Sequence, residues 1–302
     1  MSNRLNEDAL SSIFHAYQLH AGIYAAPKFC GQWQVSTSGH RRSAFHVIGE
    51  GSCWLHLGNG RLSQRLDAGD IVMFPHDDWH MLAGAEKLNG NDNFGGYDGS
   101  ASPVTLICGY FEFQAGDKNP VLDALPDLIL VKRAGENQHL ADLCQLLLAE
   151  VNDERPGTNL VMDKLADALF VMVIRHYLAT ATEQRGLLAG MADARLRKAL
   201  EQIHKQPSEH WTLDLLAQAA GMSRASFAQH FAERVGVTPI EYLTRWRMVQ
   251  AELALRNPQV SVAQAASDAG YETEAAFRKA FKRVHGIGPG MLRRWLKEQI
   301  NR

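Results

Sequence analysis

Long apolar runs are missing from this chain. The longest, Ala168–Ile174, is broken off by Asp167 and Arg175, far short of the roughly 20 residues that a membrane-crossing helix needs. The opening MSNRLNEDAL is polar and mixed in charge, unlike a secretory leader. A cytoplasmic protein with no membrane partner is expected. Cysteine is also scarce: four in 302 residues, which argues against a disulfide framework. Net charge is nearly absent at −2, yet the total hides an asymmetry. Residues 191–302 hold 17 Lys/Arg against 11 Asp/Glu, a net of +6, and residues 1–190 hold 14 against 22, a net of −8. A basic module joined to an acidic one suits phosphate binding by one half only. The hydrophobic content of 46% is enough for two cored domains.

The most informative feature is a near-repeat. LDLLAQAAGMSRASFAQHFAERVGVTP (213–239) returns as VAQAASDAGYETEAAFRKAFKRVHGIGP (262–289), matching Phe227/Phe231 with Phe277/Phe281 and Gly236/Pro239 with Gly286/Pro289. In each copy a short Ala-rich helix runs into glycine (Gly221, Gly270), and Ser223 or Thr273 is placed to cap a second helix of about a dozen residues. This is the layout of a helix-turn-helix, used twice. The paired phenylalanines at i, i+4 form a core-facing stripe. Opposite them lie Arg224, Ala225, Ala228 and Gln229 in the first copy, and Glu274, Ala275, Arg278 and Lys279 in the second. Arg and Gln pair bidentately with guanine and adenine edges, and alanine admits close approach to a thymine methyl. Between the copies, Pro239 to Arg256 reads as one helix of about 27 Å, compatible with two reading helices about one DNA turn, 34 Å, apart.

Residues ~193–300, including the closing Gly-Ile-Gly-Pro-Gly-Met-Leu-Arg-Arg, resemble the DNA-binding domain of AraC-type bacterial transcription regulators. The resemblance implies base contacts at the eight positions just named, double-stranded operator DNA and RNA polymerase as partners, and activation rather than repression. Ala225 and Ala228 depart from the larger side chains common at those positions, so the first helix is expected to read fewer base edges.

The first ~115 residues read as short strands cut by turns, Gly58-Asn59-Gly60 among them. A small barrel or sandwich is expected. In GDIVMFPHDDWHML, the spacing of Gly69, Pro75, Asp77 at a glycine-type position and His80 resembles the second motif of the cupin superfamily. The first cupin motif is degenerate, with His46 and Glu50 in place but Ile48 where a second histidine belongs. In AraC-type activators with this form of cupin sensor, cysteines recur near the positions of Cys30 and Cys108. That resemblance implies a Cys30/His46/His80/Cys108 set, whose chemistry suits one tetrahedral zinc ion. Inert core thiols and a metal-free redox pair of Cys30 and Cys108 remain as alternatives. Cys53 and Cys144 read as packing residues.

LNGNDNFGGYDGSAS (88–102) buries little and reads as a loop. From Glu136 to Glu183 the periodicity turns helical, with stripes at Leu140, Leu143, Leu147 and Val151 and at Met162, Leu165, Leu169, Met172 and His176, interrupted by Arg155-Pro156-Gly157. Packing on the barrel and a homodimer contact both fit them. Gly186–Ala192 reads as a linker. The expected architecture is multidomain α+β: a cupin-like barrel over 1–134, a helical connector over 135–190, and an all-α double helix-turn-helix over 191–302. Function follows as a one-component regulator whose barrel senses a ligand, metal or oxidant. A cupin oxygenase or isomerase with a DNA-binding tail is the competing class, opposed by the missing histidine and the lack of an acid/base or nucleophile constellation. A constitutive architectural DNA binder is the third.

Overall fold

The computed structural model describes residues 8–39, 42–58, 62–88, 103–113, 119–132, 137–153, 155–182 and 184–300. They divide into two compact units. One is Leu19–Glu112 with Leu125–Ala181; the other gathers Met1–Gln18, Phe113–Ala124 and Thr182–Arg302.

The first unit holds two sheets. Strands β1 (Leu19–Ala25), β2 (Lys28–Phe29), β4 (Ser43–Glu50), β7 (Ile71–Phe74), β9 (Val104–Phe113) and β10 (Ile129–Val131) form one, in the order β1-β9-β4-β7-β10 with β2 on β9. Strands β3 (Gln34–Val35), β5 (Ser52–Leu57), β6 (Leu62–Asp67) and β8 (His80–Ala83) form the other, in the order β3-β8-β5-β6. Ile48, Leu55, Leu66, Val72, Phe74 and Leu106 fill the space between them, with Cys53 and Cys108 in the same cluster. Asp77 turns the chain ahead of β8 with φ +59°, so the glycine-type position is left-handed in fact. Buried Asp70 is held by Lys132 Nζ at 2.6 Å and by the Asp67 amide at 2.8 Å.

The two expected helical stripes are α2 (Gln138–Asp153) and α3 (Thr158–Thr180), which pack on each other, on β4 and on β1. Leu140, Cys144 and Leu147 are buried, as are Met162, Leu169 and Phe170. The Ala21 amide donates to Asp167 Oδ1 at 2.8 Å, tying α3 to β1. Leu146, Leu160 and Val161 stay exposed. Of the expected hairpin turn, Asn59 and Gly60 lie outside the described residues, as do residues 89–102 of the expected loop.

The second unit is helical: α1 (Ala9–Ala16), α4 (Gly186–Ala192), α5 (Ala194–Lys205), α6 (Leu213–Ala219), α7 (Arg224–Val235), α8 (Pro239–Leu255), α9 (Val262–Asp268), α10 (Glu274–His285) and α11 (Pro289–Ile300). Two segments differ from expectation. The N-terminal stretch is a helix capped by Asp8, and it packs on α5 and α8 within this unit. Gly186–Ala192 is not a linker but a helix that buries Leu187, Leu188 and Met191 and packs on α5 and α7. Its second glycine permits close packing: a Cβ on Gly190 would meet Val235 Cγ2 at 2.7 Å.

Candidate nucleic-acid interface and buried barrel network

Both reading helices form where local chemistry puts them. Ser223 accepts from the Ser226 amide and Thr273 from the Ala276 amide, each at 3.3 Å, which satisfies donors that the first helical turn leaves free. Gly236 and Gly286 close the two helices with φ +84° and +74°, conformations that L side chains resist. Thr238 and Pro239 start α8, whose observed end at Leu255 is one residue short of the expected one. Phe227, Phe231, Phe277 and Phe281 are fully buried. The opposite faces are therefore fixed outward.

Arg224, Ala225, Gln229, Ala275, Arg278 and Lys279 are exposed, and Ala228 and Glu274 are half-buried. Three of these side chains are held lightly by carboxylates. Arg224 Nη1 lies 3.3 Å from Asp214 Oδ2, Gln229 Nε2 donates to Glu233 Oε1 at 2.8 Å, and Arg278 Nε donates to Glu274 Oε1 at 2.6 Å. Exposed pairs of this kind are worth about 0–1 kcal/mol, so each is free to exchange its partner for a base or phosphate.

In the barrel, strand register brings distant residues together. His46 on β4 stands directly opposite Cys108 on β9, and His46 Nδ1 lies 3.2 Å from Cys108 Sγ. His46 Nε2 is 3.1 Å from His80 Nε2. Thr37 Oγ1 sits 3.0 Å from the first of these nitrogens and 2.8 Å from the second. The network assigns the tautomers. His80 donates Nδ1–H to the Asp78 carbonyl at 2.8 Å, so its Nε2 accepts from the Thr37 hydroxyl. His46 then donates Nε2–H toward Thr37, and its Nδ1 accepts from the Cys108 thiol. Tyr24, half exposed, bonds to Thr37 from outside.

Electrostatics keep this network neutral. Burial, with His80 adding to it, holds the His46 pKa well below the usual range, and burial lowers that of His80. Burial alone pushes the Cys108 thiol up to about 12. Ionised forms are disfavoured because low-dielectric surroundings do not solvate them.

Of the four residues expected to hold zinc, His46, His80 and Cys108 share this network. Cys108 lies on the Nδ1 side of the His46 ring and His80 on its Nε2 side, so these three side chains do not surround one point as they stand. Among the described residues no three His, Cys, Asp or Glu side chains form a group that could hold a metal ion. Cys30 is buried just beyond β2, and no disulfide joins any of the four cysteines. Glu50 accepts from Thr105 Oγ1 at 2.7 Å rather than joining the histidines. Ile48, fully buried, does the work of packing where a second histidine was expected. Thr37 and Tyr24 were missed by sequence reasoning, since neither carries a spacing signal.

Comparison with known proteins agrees with both halves. Residues 8–179 match a cupin family and residues 216–294 a helix-turn-helix domain family. An uncharacterised HTH-type transcriptional regulator of Haemophilus influenzae is 30% identical over 95% of this chain and 98% of its own. A candidate AraC-like transcription regulator of Streptomyces lividans is 31% identical over 95% and 97%. The RCS-specific HTH-type transcriptional activator RclR of Escherichia coli K12 is 26% identical over 96% and 99%.

Proposed function

Because this chain belongs to the AraC-like transcription regulators that join a cupin domain to a helix-turn-helix domain, we propose that it reads an operator with α7 and α10 and is governed by the buried barrel network. The observation that carries the reading is the pair of capped helices, each with two phenylalanines fully buried and a polar face outward. Arg278 and Lys279 bring cationic reach to the second helix; Arg224 and Gln229 do so for the first, with Ala225 and Ala228 as close-approach positions. Glu274 accepts from a cytosine amine or releases Arg278 to guanine.

Activation through contact with RNA polymerase is the mode we assign, supported by the activator name of the RclR relative. The exposed Leu146, Leu160 and Val161 on α2 and α3 support a homodimer contact. A regulator acting on DNA places it in the cytoplasm, and no described helix is long and apolar enough to cross a membrane. We read the barrel's role as sensing: His46, His80, Thr37 and Cys108 satisfy one another in neutral form, so none of these four stands poised as a base for a substrate. An effector that parts Cys108 from His46, by oxidising the thiol or by inserting a polar group, strands buried donors and acceptors and shifts the packing of β4 and β9. A protonated buried thiol reacts slowly, so oxidant sensing requires the barrel to open first.

The test is selection of binding sites from random duplexes, followed by Arg278→Ala on the selected site. Loss of about 1–3 kcal/mol with relaxed preference at one base pair is expected. Unchanged affinity and unchanged salt dependence would remove α10 from the interface.

A further inference from the structure

The helical unit contains a cavity of about 540 Å³ that the DNA-reading assignment does not use. This is within the size range of small-molecule sites. Its floor is aromatic and aliphatic: Tyr17, Leu187, Val235, Tyr242, Trp246 and Val249 line it and are all buried. Its rim carries two acids, Asp123 and Glu241, and two bases, Arg245 and Arg283. Glu241 already holds Arg245 at 2.6 Å. His285, also in the lining, is tied to the Met248 carbonyl at 3.2 Å and lies 3.4 Å from Glu252. Formal charge on the rim therefore cancels.

Hydrogen-bonding capacity remains unspent. The Tyr242 hydroxyl is engaged by His204 Nε2 at 2.7 Å, but among the described residues the Tyr17 hydroxyl has no hydrogen-bond partner, and neither does Trp246 Nε1. Buried polar groups are ordinarily paired. A neutral guest with an apolar body and one polar group suits this lining better than an ion, which would face an opposite and a like charge at once.

The location is informative. One wall is the end of α7 and the turn after it (Val235, Val237), another is α8, and a third is the end of α10 with its glycine cap (Arg283–Gly286). A guest there touches both reading helices and the rod between them.

We propose that this cavity is an effector site of the helical unit itself, separate from the barrel, that takes an uncharged ring-bearing molecule with one hydroxyl or carbonyl group. Binding favours one relative placement of α7 and α10, and operator affinity shifts accordingly. This last step rests on the assignment of those helices as the readers; ligand binding does not.

The experiment uses the full chain and two probes, naphthol and naphthoate, in isothermal titration calorimetry. Naphthol binds with one site per chain, and naphthoate at least about tenfold more weakly. Tyr17→Phe weakens naphthol by about three- to tenfold. Thr244→Phe, which places a ring at the cavity wall, abolishes naphthol binding while leaving the circular dichroism spectrum and the affinity for DNA without naphthol unchanged. Naphthol shifts affinity for a two-half-site operator by about fivefold or more and leaves a single half-site unaffected. No heat with naphthol, equal or tighter binding of naphthoate, or binding indifferent to both substitutions overturns the site. Binding that leaves two-half-site affinity unmoved overturns the effector role. Should naphthol bind as stated while no selected duplex is bound at all, the reading of α7 and α10 fails and the ligand site stands.

Discussion

Acidification should loosen the helical unit through His204. This side chain is buried on α5, bonded to the Tyr242 hydroxyl and packed on Trp246 with ring centroids 4.2 Å apart. Burial lowers its pKa from 6.5 to about 3. The proton therefore prefers the unfolded chain. Above about pH 6.5 both states are neutral and the full stability is present; as pH falls through that value the unfolded state gains a proton and stability is lost, until the folded state also protonates near the lower pKa. Between about pH 7.5 and about pH 5 the loss assigned to this one group is about 2 kcal/mol. Urea unfolding followed by helix circular dichroism at the two pH values measures it, with His204→Gln as the reference, since an amide still reaches Tyr242 but does not titrate. His46 and His80 are present in both proteins, so their contributions cancel in the difference. A variant that loses as much stability as the wild type over this range would refute the argument.

Other outcomes follow from the same geometry. Gly190→Val should destabilise the helical unit by about 1–3 kcal/mol, because the added Cβ meets the stiff side chain of Val235; thermal melting reads it. Thr37→Val keeps shape but removes the hydroxyl between His46, His80 and Tyr24, and a cost of about 1–2 kcal/mol in barrel stability is expected from urea titration. Cys108 should resist a thiol reagent in the folded protein and label on unfolding, given its burial and a pKa of about 12; fast native labelling would show the barrel opens readily. Chelator treatment should leave the urea midpoint of the barrel unchanged, with elemental analysis reporting the metal content before and after, since His46, His80 and Cys108 do not surround one point as they stand.

The parts legible in the sequence were those written in local spacing. Ser223 and Thr273 cap, Phe227/Phe231 and Phe277/Phe281 bury, and Gly236 and Gly286 terminate, all by interactions within a few residues. Asp77 likewise showed its left-handed position through motif spacing. What stayed hidden depends on distant pairing. His46 and Cys108 are 62 residues apart and meet only because β4 and β9 pair in one register, and Thr37 reaches His80 across 43 residues. Composition misled at Gly186–Ala192, where two glycines suggested a linker although Leu187, Leu188 and Met191 supply a buried face. The N-terminal helix escaped because its partners, α5 and α8, lie near the other end of the chain.

That last contact bears on how a signal could travel. The helical unit includes the residues that precede β1 in the chain, through Gln18, and the segment Phe113–Ala124 at the end of β9. Strands β1 and β9 are neighbours in one sheet, and β9 carries Cys108 five residues before Phe113. Phe113 in turn packs on Phe14 of α1 with ring centroids 6.4 Å apart, and Tyr17 at the end of that helix lies 6.5 Å, ring to ring, from Trp246 on α8. A shift of β9 caused by losing the Cys108–His46 contact is expected to reach Phe113 along the covalent chain, and from there the Phe14 ring inside the helical unit. Packed rings of this kind change arrangement in discrete steps, since interiors are close to crystal density. Replacing Phe113 by Ala should thus uncouple the two ends: Thr37→Val or Cys108→Ala would still destabilise the barrel, while operator affinity, measured by fluorescence anisotropy on the selected duplex, would stop responding to either. If operator affinity still tracks the barrel substitutions in the Phe113→Ala background, the route through β9 is wrong.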